Sequence, residues 1–344
     1  MKFVDYAGIK HIHLELTKKC NAYCPSCLRV SSDPQKLNPF VNHQQEIDLG
    51  ILKQNLNQEF LEQIEDILIC GNEGDPLASK NLIEVLEHIK NFNPGLNVQI
   101  HTNGSLRDPS FYKELANIMN LPGWFIRFAI DGLEDTNAIY RRGVSFKKVM
   151  ENSKSFIDSG GRADWMWVDF EHNAHQVEDA EKLASDMGFR KFIRRKNTDP
   201  NIDFSKVEAT VRDFKKELPK FNTHSNQEIE DYYSKALTKL DARNKRVKCW
   251  ALEYSSIYID SEMQVWPCCW LGQGHLAHDS LEREHFLKNT FEKYGPGFNS
   301  LMKKSLRQIL DESFFSKDLL NSFEKTKGDS EKGCLPKCVS TCGR

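Results

Sequence analysis

No stretch of the 344 residues holds about eighteen consecutive apolar residues without a charge, so the sequence offers no membrane-spanning helix. The opening MKFVDYAGIKHIHLEL has no apolar core of the kind a secretory signal carries, and the expected location is the reducing cytoplasm. Charge of one sign is missing too. The formal net charge is −2, and basic residues gather only in short runs such as RKFIRRK and ARNKRVK, leaving nucleic-acid binding without an electrostatic footprint. There is no internal repeat and no low-complexity tract, which excludes solenoids and disordered tails. What remains is ordinary globular composition, 39% hydrophobic and 28% charged, in a chain long enough for one large domain or two moderate ones. Cysteine is sparse at ten residues, yet three fall within LELTKKCNAYCPSCLRV (14–30) and six lie from Cys249 onward. In a reducing compartment such clustering points to metal or redox chemistry before disulfides.

Short β-rich runs alternate with helical periodicity over the first two hundred residues. KHIHLEL (10–16), EDILIC (65–70), LNVQIHT (96–102), WFIRFAI (124–130), ADWMWVDF (163–170) and KFIRR (191–195) read as six strands. ASKNLIEVLEHIKNF, PSFYKELANIM, SFKKVMENSKSFIDSG and QVEDAEKLASDMG read as amphipathic helices between them, the last two closing on glycine. This alternation predicts parallel strands with right-handed crossovers, an α/β sheet or a full or partial barrel with its chemistry at the carboxyl ends of the strands. The order breaks near residue 200. Residues 201–245 are charged and read as a helical bridge or insertion; 246–344 have a different composition, with a hairpin over SSIYIDSEMQVWPCCW, a helix over SLRQILDESFFSKDLLNSF and the ending CLPKCVSTCGR.

Cys20, Cys24 and Cys27 follow the first strand directly, which puts their loop on the catalytic rim of such a barrel. Three thiolates can hold three irons of a cubane cluster and leave the fourth iron open to substrate. A zinc site is the alternative, although no fourth ligand stands nearby in sequence. At these residues the sequence resembles the radical S-adenosylmethionine (SAM) enzymes, whose signature is Cys-x3-Cys-x2-Cys after strand one. The resemblance implies a partial (β/α)6 TIM-like barrel over 1–200, a [4Fe-4S] cluster with an open iron site, and SAM. It also implies a low-potential electron donor such as a flavodoxin or ferredoxin. Where the family often has an aromatic residue before the last cysteine this chain has Ser26, with Tyr23 nearby.

The same resemblance assigns residues at later strand ends. Gly71, Asn72, Glu73, Gly74, Asp75 and Pro76 look like a variant of the family's Gly-Gly-Glu-Pro turn, which meets the SAM amino group, with Glu73 and Asp75 both open for that contact. HTNG brings Asn103. AIDG and the following EDTNAIYRRG resemble the segment whose acidic residue and arginine meet the ribose and the methionine carboxylate, giving Asp131 and Arg142. FEHN places Asn173 where related enzymes have a cofactor-contacting asparagine. Read without the family, these are glycine-rich turns and helix caps.

The C-terminal cysteines resemble a twitch domain, the shorter relative of the SPASM domain, which implies one auxiliary [4Fe-4S] cluster in a small domain with a β-hairpin and a helix. Cys249, Cys268, Cys334 and Cys338 are the expected ligands, with Cys342 a rival for the last place; structural zinc is the alternative. Adjacent Cys268 and Cys269 should point to opposite faces if extended. Cys70, ending an apolar strand, reads as a structural thiol. The expected activity is SAM cleavage to a 5′-deoxyadenosyl radical that abstracts hydrogen from a peptide or protein residue. Oxidation of a small alcohol or aminosugar is the second possibility, because only nineteen residues precede Cys20 and no peptide-binding element fits there. A non-catalytic iron-sulfur or zinc protein is the reading of another class. No general acid or base is identifiable from sequence, since it depends on which hydrogen is removed.

Overall fold

The computed structural model describes residues 2–30, 36–197, 225, 227–228, 231, 247–277, 280–324, 338 and 342. The 201–245 segment therefore falls almost wholly outside the described residues, and Cys334 does too. All six expected strands form: β1 His11–Leu14, β2 Asp66–Ile69, β3 Asn97–Thr102, β4 Trp124–Ala129, β5 Ala163–Asp169 and β6 Lys191–Lys196. They pair in parallel and in sequence order. The expected hairpin forms as β7 Ser256–Ile259 and β8 Val265–Trp266, and it joins this same sheet: β7 lies parallel to β1, with β8 antiparallel at the edge.

Alternation along the strands gives the sheet two unlike faces. Ile12, Leu14, Ile67, Ile69, Val98, Ile100, Ile126, Phe128, Trp165 and Ile257 are buried under the helices and form the core. Their neighbours in register, among them His13, Leu68, Gln99, Arg127, Asp164 and Tyr258, line the opposite, inner face, which is largely polar.

The crossover helices connect these strands, and side-chain caps satisfy the first amide groups of the first, second, fourth and sixth of them. They are α1 Leu49–Asn55, α2 Gln58–Gln63, α3 Leu82–Phe92, α4 Pro109–Ile118, α5 Asn137–Tyr140, α6 Phe146–Asp158 and α7 Val177–Met187. Asp108 caps α4 ahead of a proline, Ser145 caps α6, and Gly188 closes α7 in the left-handed region at φ 89°. Sequence reading missed α1 and α2, although Asp48 and Asn57 cap them through Ile51 N and Phe60 N. The single helix expected over 305–323 is interrupted: Leu306–Asp311, a five-residue π segment Phe314–Asp318, and Leu319–Glu324. The break follows extended backbone at Glu312 and lets Phe314 and Phe315 both turn into the core.

Candidate active site at the strand ends

The loop after β1 is held from beneath by Arg29. Its buried guanidinium donates to the carbonyls of Lys18 (2.9 Å), Ala22 (3.1 Å) and Cys20 (3.4 Å), three acceptors that no helix or sheet would otherwise satisfy. Cys24 and Cys27 stand on one turn, with Cys27 N donating to the Cys24 carbonyl at 3.0 Å. N–H groups surround the sulfurs: Ala22 N is 3.3 Å and Asn103 Nδ2 3.6 Å from Cys20 Sγ, and Arg141 Nη1 is 3.8 Å from Cys24 Sγ. Burial pushes the Cys20 thiol up to about 12, Cys24 up to about 11 and Cys27 upward, while Arg29 and Arg141 pull the other way. Unligated thiolates are costly in this pocket, and a bound cation centre would stabilise them. Among the described residues no three histidine, cysteine or carboxylate side chains converge on one point as ligands of a single ion do. A cubane asks for something different, because its thiolates sit on separate irons. Three thiols on one loop, Cys24 buried and Cys20 and Cys27 half-buried, with N–H donors aimed at two of the sulfurs and two guanidinium groups beside them, fit that group.

The turn after β2 closes against this loop because two glycines leave room. A Cβ on Gly71 would lie 1.8 Å from the Gly74 carbonyl oxygen, and one on Gly74 would lie 2.0 Å from that of Thr17. Asp75 and Glu73, alternatives in sequence, have different surroundings. The Asp75 carboxylate accepts from Thr102 Oγ1 (2.9 and 3.0 Å), Asn103 N (2.8 Å) and Leu77 N (3.0 Å), so it caps the short turn Pro76–Ala78 and ties β2 to β3. Glu73 Oε2 lies 3.0 Å from Lys18 Nζ, and Tyr258 donates to Oε1 at 3.4 Å. Asn72 N donates to Glu15 Oε1 at 2.7 Å, and its side chain meets His13 Nε2 at 3.1 Å.

Lys18, 0% exposed, is the hub of a buried charged group that sequence reading did not single out. Its ammonium lies 2.7 Å from Glu262 Oε1 as well as beside Glu73. Burial alone would lower its pKa, but the two carboxylates win and raise it. Glu15, Glu73 and Asp260 are pushed up, burial being the largest cause in each, with Asp260 at about 8. One lysine thus faces more carboxyls than it can neutralise, and protons make up the difference.

At the end of β4, Asp131 is fully buried. Its carboxylate accepts from Val168 N at 2.7 Å and from Arg141 Nε at 2.6 Å. The arginine paired with Asp131 is Arg141; Arg142, expected as a SAM contact, is its buried neighbour, and the Arg142 carbonyl accepts from Tyr23 N at 2.8 Å. Asn173 is also buried, donating through Nδ2 to the carbonyls of Asp131 and Val168 (2.9 Å each) and accepting from Phe170 N (2.8 Å), so its amide fixes the β4 and β5 ends. Asn103 meets Cys20 and Asn21, while Tyr23 is half-buried and Ser26 exposed on the cysteine loop.

Adjacent Cys268 and Cys269 have different surroundings, Cys268 in extended backbone and Cys269 opening a helical turn. Cys268 lies within electrostatic reach of Cys249 and Cys342, and the Cys342 carbonyl accepts from Lys248 N at 2.9 Å. Cys269 turns instead toward Glu15, and Cys70 lies within reach of both. Cys338 is half-buried.

A parallel sheet flanked by helices, with a three-cysteine loop at the carboxyl end of its first strand, is the arrangement that the resemblance of the cysteine spacing implies. No family model and no curated protein matches the sequence. Among solved structures, the chain is similar to Streptococcus suis SuiB bound to precursor peptide SuiA, with 13% identity and a TM-score of 0.54, covering 96% of this chain and 70% of SuiB. It is similar to anSMEcpe with bound AdoMet and Cp18Cys peptide at 14% identity and a TM-score of 0.52, covering 96% and 89% of the two chains. Against SuiB alone, at 13% identity and a TM-score of 0.50, it covers 76% of its own length and 61% of SuiB's. At these identities the likeness establishes a shared fold.

Proposed function

We propose that this chain is a radical SAM enzyme acting on a peptide or protein residue. The observation that carries the reading is the set of three thiols on the β1 loop, Cys24 buried and Cys20 and Cys27 half-buried, beside the Arg141–Asp131 pair. Cys20, Cys24 and Cys27 would hold a [4Fe-4S] cluster with one open iron; when bound, the cluster supplies the electron that cleaves SAM to the 5′-deoxyadenosyl radical, which abstracts hydrogen from substrate. Arg29 shapes the loop, Arg141 and Asn103 donate to its sulfurs, and the strand-end polar groups orient SAM. Because Asp75 is occupied by four hydrogen bonds, Glu73 is the better contact for the SAM amino group. Asp131, Asn173, Asn72 and the 71–74 backbone shape the surrounding wall, with Arg142, Tyr23 and Ser26 at its edge.

Cys249, Cys268 and Cys342 would give three ligands of an auxiliary [4Fe-4S] cluster in a twitch-like 246–344 region, the fourth coming from Cys334 or Cys338. A peptide substrate is favoured because the structural neighbours of the same fold include SuiB with a precursor peptide and anSMEcpe with a peptide. A flavodoxin- or ferredoxin-type donor in the cytoplasm would supply electrons; no helix among the described residues is long and apolar enough to cross a membrane. The test is anaerobic reconstitution, reduction and assay of 5′-deoxyadenosine from SAM. Wild type should form it, and the Cys20→Ala/Cys24→Ala/Cys27→Ala variant should not, while retaining about four of about eight irons. A folded, iron-loaded wild type that cleaves no SAM, with or without peptide pools and metabolite extracts, would overturn the reading.

A further inference from the structure

Two arginines on the inner face of the sheet have less carboxylate than they need. Arg127 of β4 is in register with Asp164 of β5, and Arg195 of β6 with Val168, so both project from the face opposite the helices. Asp164 is already taken by Arg190, which donates to it at 3.0, 2.8 and 3.0 Å; Arg127 Nη2 stands off at 3.7 Å. Arg127 Nε is buried with no hydrogen-bond partner among the described residues. Arg195 is exposed and has no ion pair with a described carboxylate, yet it is close enough to depress the pKa of both Arg127 and His101.

His101, beside Arg127 at 3.4 Å, offers no compensating charge, since burial pulls it down to about 3 and leaves it neutral. The pattern is one-sided. Carboxyls collect at β1, the β2 turn and the β7–β8 hairpin, in Glu15, Glu73, Asp260 and Glu262, while the β4–β6 half of the same face is cationic. Guanidinium groups within electrostatic reach of one another repel in the absence of an anion, and their planar forks match a carboxylate. The position is near the proposed chemistry: His101 Nδ1 lies 3.6 Å from Cys70 Sγ, and Cys70 leads directly into the 71–75 turn.

We propose that Arg127 and Arg195 form a seat for a carboxylate of the substrate, fixing it on the inner face of β4–β6 while the reacting carbon lies toward the strand ends. The inference rests on the radical SAM reading and adds to it the substrate's charge. The carboxylate could belong to an acidic residue of a peptide or to a small-molecule acid, and one experiment separates them.

Glutarate, its diamide, inorganic phosphate and a blocked Glu-Glu dipeptide are titrated into cluster-loaded protein by calorimetry, with SAM cleavage read in the same preparations. Wild type should bind glutarate or the dipeptide in a salt-sensitive manner and not the diamide, the tighter of the two naming the source. Arg195→Gln and Arg127→Gln should each weaken binding about tenfold. Arg194→Gln, whose residue pairs with Asp169, should leave it unchanged. Because Arg195 is exposed, its variant keeps the test valid if Arg127→Gln fails to fold. Equal binding by wild type and both variants, equal binding of the diamide, tighter binding of phosphate, or no binding would overturn the seat. Carboxylate binding without SAM cleavage would instead overturn the catalytic reading and leave the seat as a site of another chemistry.

Discussion

Arg141 joins the end of β4 to the cysteine loop: its Nε donates to Asp131 Oδ2 at 2.6 Å while Nη1 points at Cys24 Sγ, 117 positions away in sequence, at 3.8 Å. Asp131 holds the guanidinium in place, and the guanidinium places positive charge beside a sulfur. Replacing Arg141 with alanine leaves Asp131 buried and unpaired, a loss of about 3–5 kcal/mol. Arg141→Lys should keep the fold, because a cation remains, but lose the fork that serves both partners. The expected outcome is a small drop in thermal midpoint together with a shifted cluster reduction potential, read by anaerobic titration with paramagnetic resonance. An unchanged potential would show that Arg141 does not act on the cysteine site.

Arg29→Ala removes three bonds to loop carbonyls that have no other described side-chain donor. The expected cost is about 2–3 kcal/mol, concentrated on the cysteine loop. Iron retained after reconstitution should fall toward the auxiliary complement alone, while circular dichroism reports the remaining fold as native.

Glu73 and Asp75 should separate by the kind of damage they cause. Asp75→Asn disturbs a carboxylate receiving four hydrogen bonds and should lower stability by about 1–3 kcal/mol. Glu73→Gln should chiefly weaken SAM binding, measured by equilibrium dialysis. If the Asp75 variant folds normally and loses SAM instead, the two roles are reversed.

Cys268→Ser and Cys269→Ser differ by one position and should differ by one cluster. Cys268 faces Cys249 and Cys342, so its replacement should lower iron content by about four per chain. Cys269 faces Glu15 and Cys70, so its replacement should leave the iron count intact.

The buried carboxyls make stability depend on pH in a defined direction. Burial and neighbouring Glu73 raise Asp260 from its ordinary range to about 8, so the folded state binds its proton more tightly than the unfolded chain. That contribution is complete below the unfolded pKa, near 4, and is lost as pH rises through about 8. Glu15, also raised, has the same sign. The thermal midpoint should therefore fall as pH rises from about 5 to about 8, and Asp260→Asn should flatten that slope.

Much of the fold was legible because β-strands and amphipathic helices write their periods into adjacent residues. All six barrel strands and four of their crossover helices lie where WFIRFAI, LNVQIHT and similar runs predict. Helices α1 and α2 were missed because they are short, at seven and six residues, and carry little periodicity beyond their caps. Lys18 was illegible for another reason: its partners Glu73 and Glu262 come from a distant turn and hairpin, and only burial makes their meeting consequential.

The sequence by itself determined the alternation of strand and helix, the position of three cysteines after the first strand, and the resemblance carried by their spacing. Tertiary structure decided what neighbours meet: Arg141 against Asp131, and the separate surroundings of Glu73 and Asp75 and of Cys268 and Cys269. It also decided that β7 lies beside β1, which brings Glu262 and Asp260 to Lys18. The physical reason is that spacing along the chain fixes local conformation, whereas which of two adjacent side chains turns inward depends on strand register and on packing against residues far away in sequence.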